Sequence, residues 1–147
     1  AVNVAYQLIH DLGWNSYAQN LAVRADKLKD LSPCFEKLVP IMQQAQIDYI
    51  AAPERANAII KAAVLAYDSW WTQSDGDLAN GAAQLRELNL IGNGETGTFG
   101  DLEEARVNDF ISKASPVLRD QGLEIPDIAA SDIVNNEFLN PDITYNG

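Results

Sequence analysis

Histidine, cysteine and methionine each occur once in the 147 residues. A single Cys34 can form neither an intramolecular disulfide nor a CxxC metal knuckle. Lying next to Phe35 and near Leu38, it is expected to be a small buried hydrophobe. One imidazole, His10, is too few for most zinc and triad chemistry. His10 and Asp11 are adjacent, but no Ser or Cys is marked as a nucleophile by a motif. A surface or hydrogen-bonded histidine is therefore expected. Neither a catalytic residue nor a metal site is assigned, and no cofactor is implied. Long apolar runs are also missing, with nothing near the roughly 18 residues that would mark a transmembrane helix.

Positive charge is scarce. Ten Lys+Arg face 21 Asp+Glu, a net charge of -11. Residues 1–60 carry five basic and six acidic groups, and residues 61–147 carry five and fifteen. Such a surface repels phosphate backbones and anionic lipid, which speaks against nucleic-acid and membrane partners. It reads first as a well-solvated face. What is present is ordinary for a globular chain, 47% hydrophobic and 21% charged, and the length suits a single unit with a real core.

Residues 4–10 mix β-formers with apolar residues and predict a short strand. Asp11 to Ser16 reads as a turn, and Asn20 to Ala25 as a second strand. From Ser32, a candidate N-cap with Pro33 in first position, the pattern is helical. Phe35, Leu38, Met42, Ala45 and Tyr49 would form its stripe, with a kink or break at Pro40. Pro53 opens a second helix with Glu54 in its first turn and a stripe of Ala56, Ile59, Ile60, Ala63, Tyr67 and Trp70. Ser74 to Asp77 reads as a turn, and Leu78 to Leu88 as a shorter helix.

Residues 92–100 hold four of the nine glycines and predict a loop. Asp101 and Glu104 have the spacing of a capping box. The helix they open carries Val107, Phe110, Ile111, Ala114 and Leu118, is bent at Pro116 and ends at Gly122. Ser131 is a candidate cap for a last helix through Asn136, and the tail from Phe138 is polar and irregular. The layout is one unit: strand–turn–strand over 1–30, helical over 31–139, tail over 140–147.

Two motifs fail on context. Gly92-Asn-Gly-Glu-Thr-Gly97 matches G-x-G-x-x-G, but its helix starts too late, and Glu95 would face a pyrophosphate. Asp75-Gly-Asp77 resembles the start of a calcium loop, yet Ala79 and Arg86 stand where ligands are needed. Asp68 and the Glu103-Glu104 pair read as surface and helix-end charges. The aromatics are more informative. Trp14 lies in a Gly/Asn turn, where it could line a cleft or join a core. Trp70 and Trp71 are expected to pack at a helix end.

The order of segments resembles the carboxy-terminal portion of ABC-transporter substrate-binding proteins of the nitrate/sulfonate/taurine and thiamine-pyrimidine-precursor type. Leu12 to Leu28 is similar to that family's return crossing into its first lobe. Ala52-Pro-Glu-Arg-Ala56 is similar to its Asn-Pro-Glu-x-Ala helix start, with Ala52 in place of Asn. Gly100-Asp-Leu-Glu-Glu-Ala-Arg106 resembles its Gly-x-hydrophobic-Asp-x-x-Arg entry. Asp132 to Leu139 resembles its closing Asp-Leu-x-x-x-x-Phe-Leu.

The resemblance implies an α/β fold, mostly helical here with two or more short strands, as part of lobe 1 of a two-lobed periplasmic-binding-protein type II fold. It implies a carboxy-terminal piece of a longer chain. It also implies an extracytoplasmic solute carrier, periplasmic or a cell-surface lipoprotein, that serves a membrane permease and is not an enzyme. Relatives that make a pyrimidine precursor need a Lys/His constellation that nothing around His10 supports. Most solute contacts would come from other parts of such a protein. In this chain Trp14 is placed to stack on a planar small-molecule solute, and Asn15 or Tyr17 to hydrogen-bond it. A truncated piece would also expose surface through which it could dimerise. The competing reading is a self-standing acidic helical protein-interaction domain, motivated by residues 61–147.

Overall fold

The computed structural model describes residues 5–67 and 70–146. Val4, first in the expected strand, and Asp68 lie outside them. The described chain is helical: a 3-10 turn at His10–Leu12, then α1 (Ala25–Ala51), α2 (Glu54–Ala66), α3 (Asp75–Glu87), α4 (Glu104–Asp120) and α5 (Ala130–Ile133). Among the described residues no sheet forms, and the one isolated β-bridge is antiparallel, between Asn93 and Phe99. The expected α/β class is therefore corrected to an all-helical one, and both expected strands are lost.

The physical reason is pairing. A strand without a neighbour leaves its N–H and C=O groups unmet. Residues 8–14 instead satisfy them locally. Asp11 N donates to Leu8 O at 3.1 Å, and Gly13 N to His10 O at 2.9 Å. The region of the second strand leads directly into α1. Ala25-Asp-Lys-Leu-Lys is a run of residues that tolerate helix well, with Asp26 favourable in the first turn.

Helix α1 thus starts seven residues before the expected cap at Ser32 and runs through both Pro33 and Pro40 without ending. Its buried residues are Phe35, Gln43 and Ile50, spaced by eight and seven, which is about two turns each time. The expected stripe holds at Phe35, which is buried, and drifts by one position further on: Met42 and Tyr49 are half-buried beside buried Gln43 and Ile50, while Leu38 and Ala45 are exposed, as is Cys34.

The chain forms two compact units. One comprises Ala1–Asp30 and Leu102–Glu137, the other Leu31–Asp101 and Phe138–Gly147.

In the second unit α2 packs with α3. Pro53 is the N-cap of α2, with Glu54 as the acidic residue of its first turn. Helix α2 buries no side chain completely, and its expected stripe is open at Ile59, Ile60 and Tyr67. Lys61 pairs with Asp75 at 2.8 Å. Arg86 Nη1 donates to the Ile50 carbonyl at 2.6 Å, meeting one of the orphan acceptors at the end of α1.

Ser74 to Asp77 is not a free turn but the start of α3, closed by a capping box. Ser74 Oγ accepts from Asp77 N at 3.1 Å, and Ser74 N donates to the Asp77 carboxylate at 3.1 Å. The helix leaves through Asn89 at φ 49°, with Asn89 N on Arg86 O and Leu90 N on Leu85 O. These two bonds form a Schellman motif. Trp70 and Trp71 do not pack away: Trp70 is 88% exposed, and the two rings lie 5.4 Å apart.

In the first unit α4 packs with α5. Ala114 is buried, while Val107, Phe110, Ile111 and Leu118 are half-buried, so the expected face of α4 is the inner one. The helix continues through Pro116 to Asp120 and leaves by a second Schellman motif. Gly122 stands at φ 83°, Gly122 N bonds Arg119 O and Leu123 N bonds Leu118 O. The N-cap of α4 is Glu103, whose side chain makes no capping bond, so the expected Asp101 capping box does not form. The last helix is only Ala130–Ile133, with Ser131 inside it. Its N-terminus is met by the Asp132 carboxylate, which accepts from Ala129 N at 2.8 Å.

Candidate functional site

Residues 13–17 form the loop in which Trp14, Asn15 and Tyr17 were expected to meet a ligand. Gly13 stands at φ 86°, a conformation that costs other residues roughly 1–2 kcal/mol. It turns the chain out of the 3-10 segment, and Trp14 N closes that turn on Ile9 O at 3.1 Å.

Helix α4 and its N-cap hold the loop along its length. Lys113 Nζ donates to Gly13 O at 2.8 Å and is itself paired with Asp109 at 2.6 Å. Arg106 Nε donates to Asn15 O at 3.3 Å, and its Nη2 to Ser16 O at 3.1 Å. The same guanidinium lies 3.9 Å from the centre of the Tyr17 ring, within cation–π range. Tyr17 Oη accepts from Glu103 N at 3.0 Å, which meets one open donor at the start of α4.

Trp14 sets its ring edge-on to Phe110, with centroids 5.0 Å apart, and remains 38% exposed. It is thus half packing and half open face. The Asn15 side-chain Oδ1 is buried and accepts no hydrogen bond from the described residues. A buried acceptor in that state is uncommon.

The structure therefore gathers all three expected residues in one place. Sequence reasoning missed their supports, Arg106, Phe110 and Lys113. The signal for Arg106 was available, because it ends the Gly100-to-Arg106 helix entry. Phe110 and Lys113 follow it at four and seven residues, on the same helical face.

The arrangement offers an aromatic face, an amide and a guanidinium already committed to backbone carbonyls. Among the described residues no group of three or more His, Cys, Asp or Glu is placed to hold a metal ion. None of the described helices is long and apolar enough to cross a membrane.

The glycine motif is bent by a tight turn, with Gly97 N on Gly94 O at 2.9 Å, and no helix opens inside it. A side chain at Gly94 would overlap the Asp101 carboxylate. Asp101 is buried and accepts from Thr96 Oγ1 at 2.6 Å. The closeness of these two residues accounts for Gly94 without a phosphate. No protein-family model, curated protein or solved structure matches the chain.

Proposed function

We propose that this chain is the carboxy-terminal part of an extracytoplasmic solute-binding component of an ABC importer. Its solute would be a small organic molecule or oxyanion, such as nitrate, a sulfonate, taurine or a pyrimidine precursor. The permease of the importer would be its protein partner. One observation carries the reading. Two segments that resemble that family, Leu12 to Leu28 and Gly100 to Arg106, come together around the three candidate residues. Arg106 fixes the backbone of Asn15 and Ser16 and stacks on Tyr17. Trp14 keeps an open face for a planar group, and Asn15 Oδ1 is an acceptor without a donor among the described residues. The helical architecture adds nothing to this reading, which rests on the segments and the cluster they form.

The test starts with the intact mass of the protein from its natural source. A carrier of which this chain is one part predicts about 35–40 kDa. That protein is then screened by thermal shift with nitrate, taurine and an aminopyrimidine. A solute at a hundredfold its Kd adds about 2.7 kcal/mol, a clear rise in Tm. Replacing Trp14 with Ala should weaken that rise. A native mass of 16.1 kDa would overturn the proposal.

A second reading, an acidic helical interaction domain, is favoured by α2. That helix buries no side chain completely and leaves Ile59, Ile60 and Leu65 open. It predicts a native chain of 16.1 kDa that melts cooperatively without any solute.

A further inference from the structure

The tail from Phe138 was expected to be irregular, yet the second unit reads its main chain in detail. Gln43 Oε1 accepts from Asn140 N at 2.9 Å, and Gln43 Nε2 lies 3.4 Å from Asn140 O. Phe99 N donates to Ile143 O at 3.2 Å. The Asn93 amide grips Tyr145 twice, Nδ2 to Tyr145 O at 2.9 Å and Oδ1 from Tyr145 N at 2.7 Å. Two ring contacts frame these bonds, Phe35 with Phe138 at 5.5 Å and Phe99 with Tyr145 at 6.5 Å.

This is the chemistry of a peptide-binding groove: backbone bonds for affinity and aromatic contacts for register. The segment also holds its own turn. Asp142 N bonds Asn140 Oδ1 at 3.0 Å and Ile143 N bonds Asn140 O at 3.2 Å, around Pro141. A preshaped peptide loses less entropy on docking.

The segment is not continuous with its groove. Residues 31–101 build the groove, and the tail returns only after residues 102–137, which belong to the other unit. Val134 to Asn136, just before it, are not helical. A groove that recognises backbone cannot tell which copy supplies it. We infer that the groove of Phe35, Gln43, Asn93 and Phe99 is a peptide-binding site that also accepts residues 138–146 of a second copy, giving an exchanged dimer. This does not depend on the solute reading.

The test is complementation between two full-length variants. One carries Gln43→Ala with Asn93→Ala, leaving its tail intact. The other carries Phe138→Ala with Tyr145→Pro, leaving its groove intact. Each alone should be monomeric, and an equimolar mixture should give a heterodimer by native mass spectrometry. Two variants that keep their helical melts yet stay monomeric when mixed would overturn the inference.

If either variant loses its melt, the unaltered chain decides. Tethered segments compete at an effective concentration of about millimolar, so exchange should appear on refolding near that concentration. A dimer that survives dilution, and that Gln43→Ala abolishes, is the expected result. Monomer at every concentration, or a dimer indifferent to Gln43→Ala, would refute it.

Discussion

Gln43 donates its side-chain N–H to the carbonyl of Phe99 at 2.7 Å, across 56 residues of sequence, while its Oε1 accepts from Asn140 N. It is 4% exposed, one of the few buried polar side chains among the described residues. A single amide thus holds the glycine loop and the tail on α1. Truncation to Ala strands a carbonyl and an amide in a dry site, at about 1–3 kcal/mol for each group left unmet. Gln43→Ala should lower the urea midpoint by an amount equivalent to about 2–4 kcal/mol, with faster hydrogen exchange at Asn140. Unchanged exchange there would show that the clamp carries little.

Gly94 and Asp101 make a second dependent pair. Any Cβ at residue 94 meets the buried carboxylate of Asp101. Gly94→Ala should cost about 1–3 kcal/mol, as overpacking does. Replacing Asp101 with Ala as well should recover part of that loss, because the obstruction is gone. The measurement is a double-mutant cycle by denaturant melt, and strictly additive costs would rule out the steric account.

How far these features could be read from the sequence follows from what each depends on. Local signals were legible: Pro53 with Glu54, the inner face of α4, and Gly122 as a left-handed exit all depend on neighbours within a turn or two. The expected strands failed because strand formation depends on distant partners, which residues 5–10 and 20–24 do not find. Pro33 and Pro40 misled because each removes one donor, a local cost that a 27-residue helix outweighs.

The candidate loop of Trp14, Asn15 and Tyr17 was read from neighbouring residues, but its anchoring from α4 lies some 90 residues away in sequence. Gln43 left a fainter trace. It falls eight residues after Phe35 and seven before Ile50, a polar residue on an apolar stripe, and only a partner chain segment explains it.

The loop anchor is testable through Trp14. Arg106→Lys keeps the charge but loses the planar fork that serves two carbonyls and the Tyr17 ring together. A cation–π contact of this kind is worth about 0.5–2 kcal/mol, so the variant should lose stability on that order. The loop should also loosen, so that Trp14 becomes more exposed. Red-shifted emission in a chain whose Trp70 and Trp71 are replaced by Phe isolates that signal. An unmoved spectrum would show that Trp14 is held by Phe110 alone.

Ser74 and Asp77 give a pH dependence whose sign is fixed. The Ser74 hydroxyl donates to the Asp77 carboxylate at 2.7 Å, and the Ser74 N–H joins it. Both bonds favour the ionised form and hold the Asp77 carboxyl below the ordinary aspartate value. A group whose folded value is depressed stabilises the fold above its unfolded value and loses that contribution as pH falls through the folded one. The start of α3 should therefore be intact at neutral pH and fray only on acidification below the ordinary aspartate range. Following the Asp77 carboxyl carbon by NMR through an acid titration measures this directly. Ser74→Ala should return the midpoint toward the ordinary value and leave the other aspartates in place. An Asp77 midpoint that stays fully depressed in that variant would assign the shift to the backbone N–H of residue 74 and the helix dipole instead of the Ser74 hydroxyl.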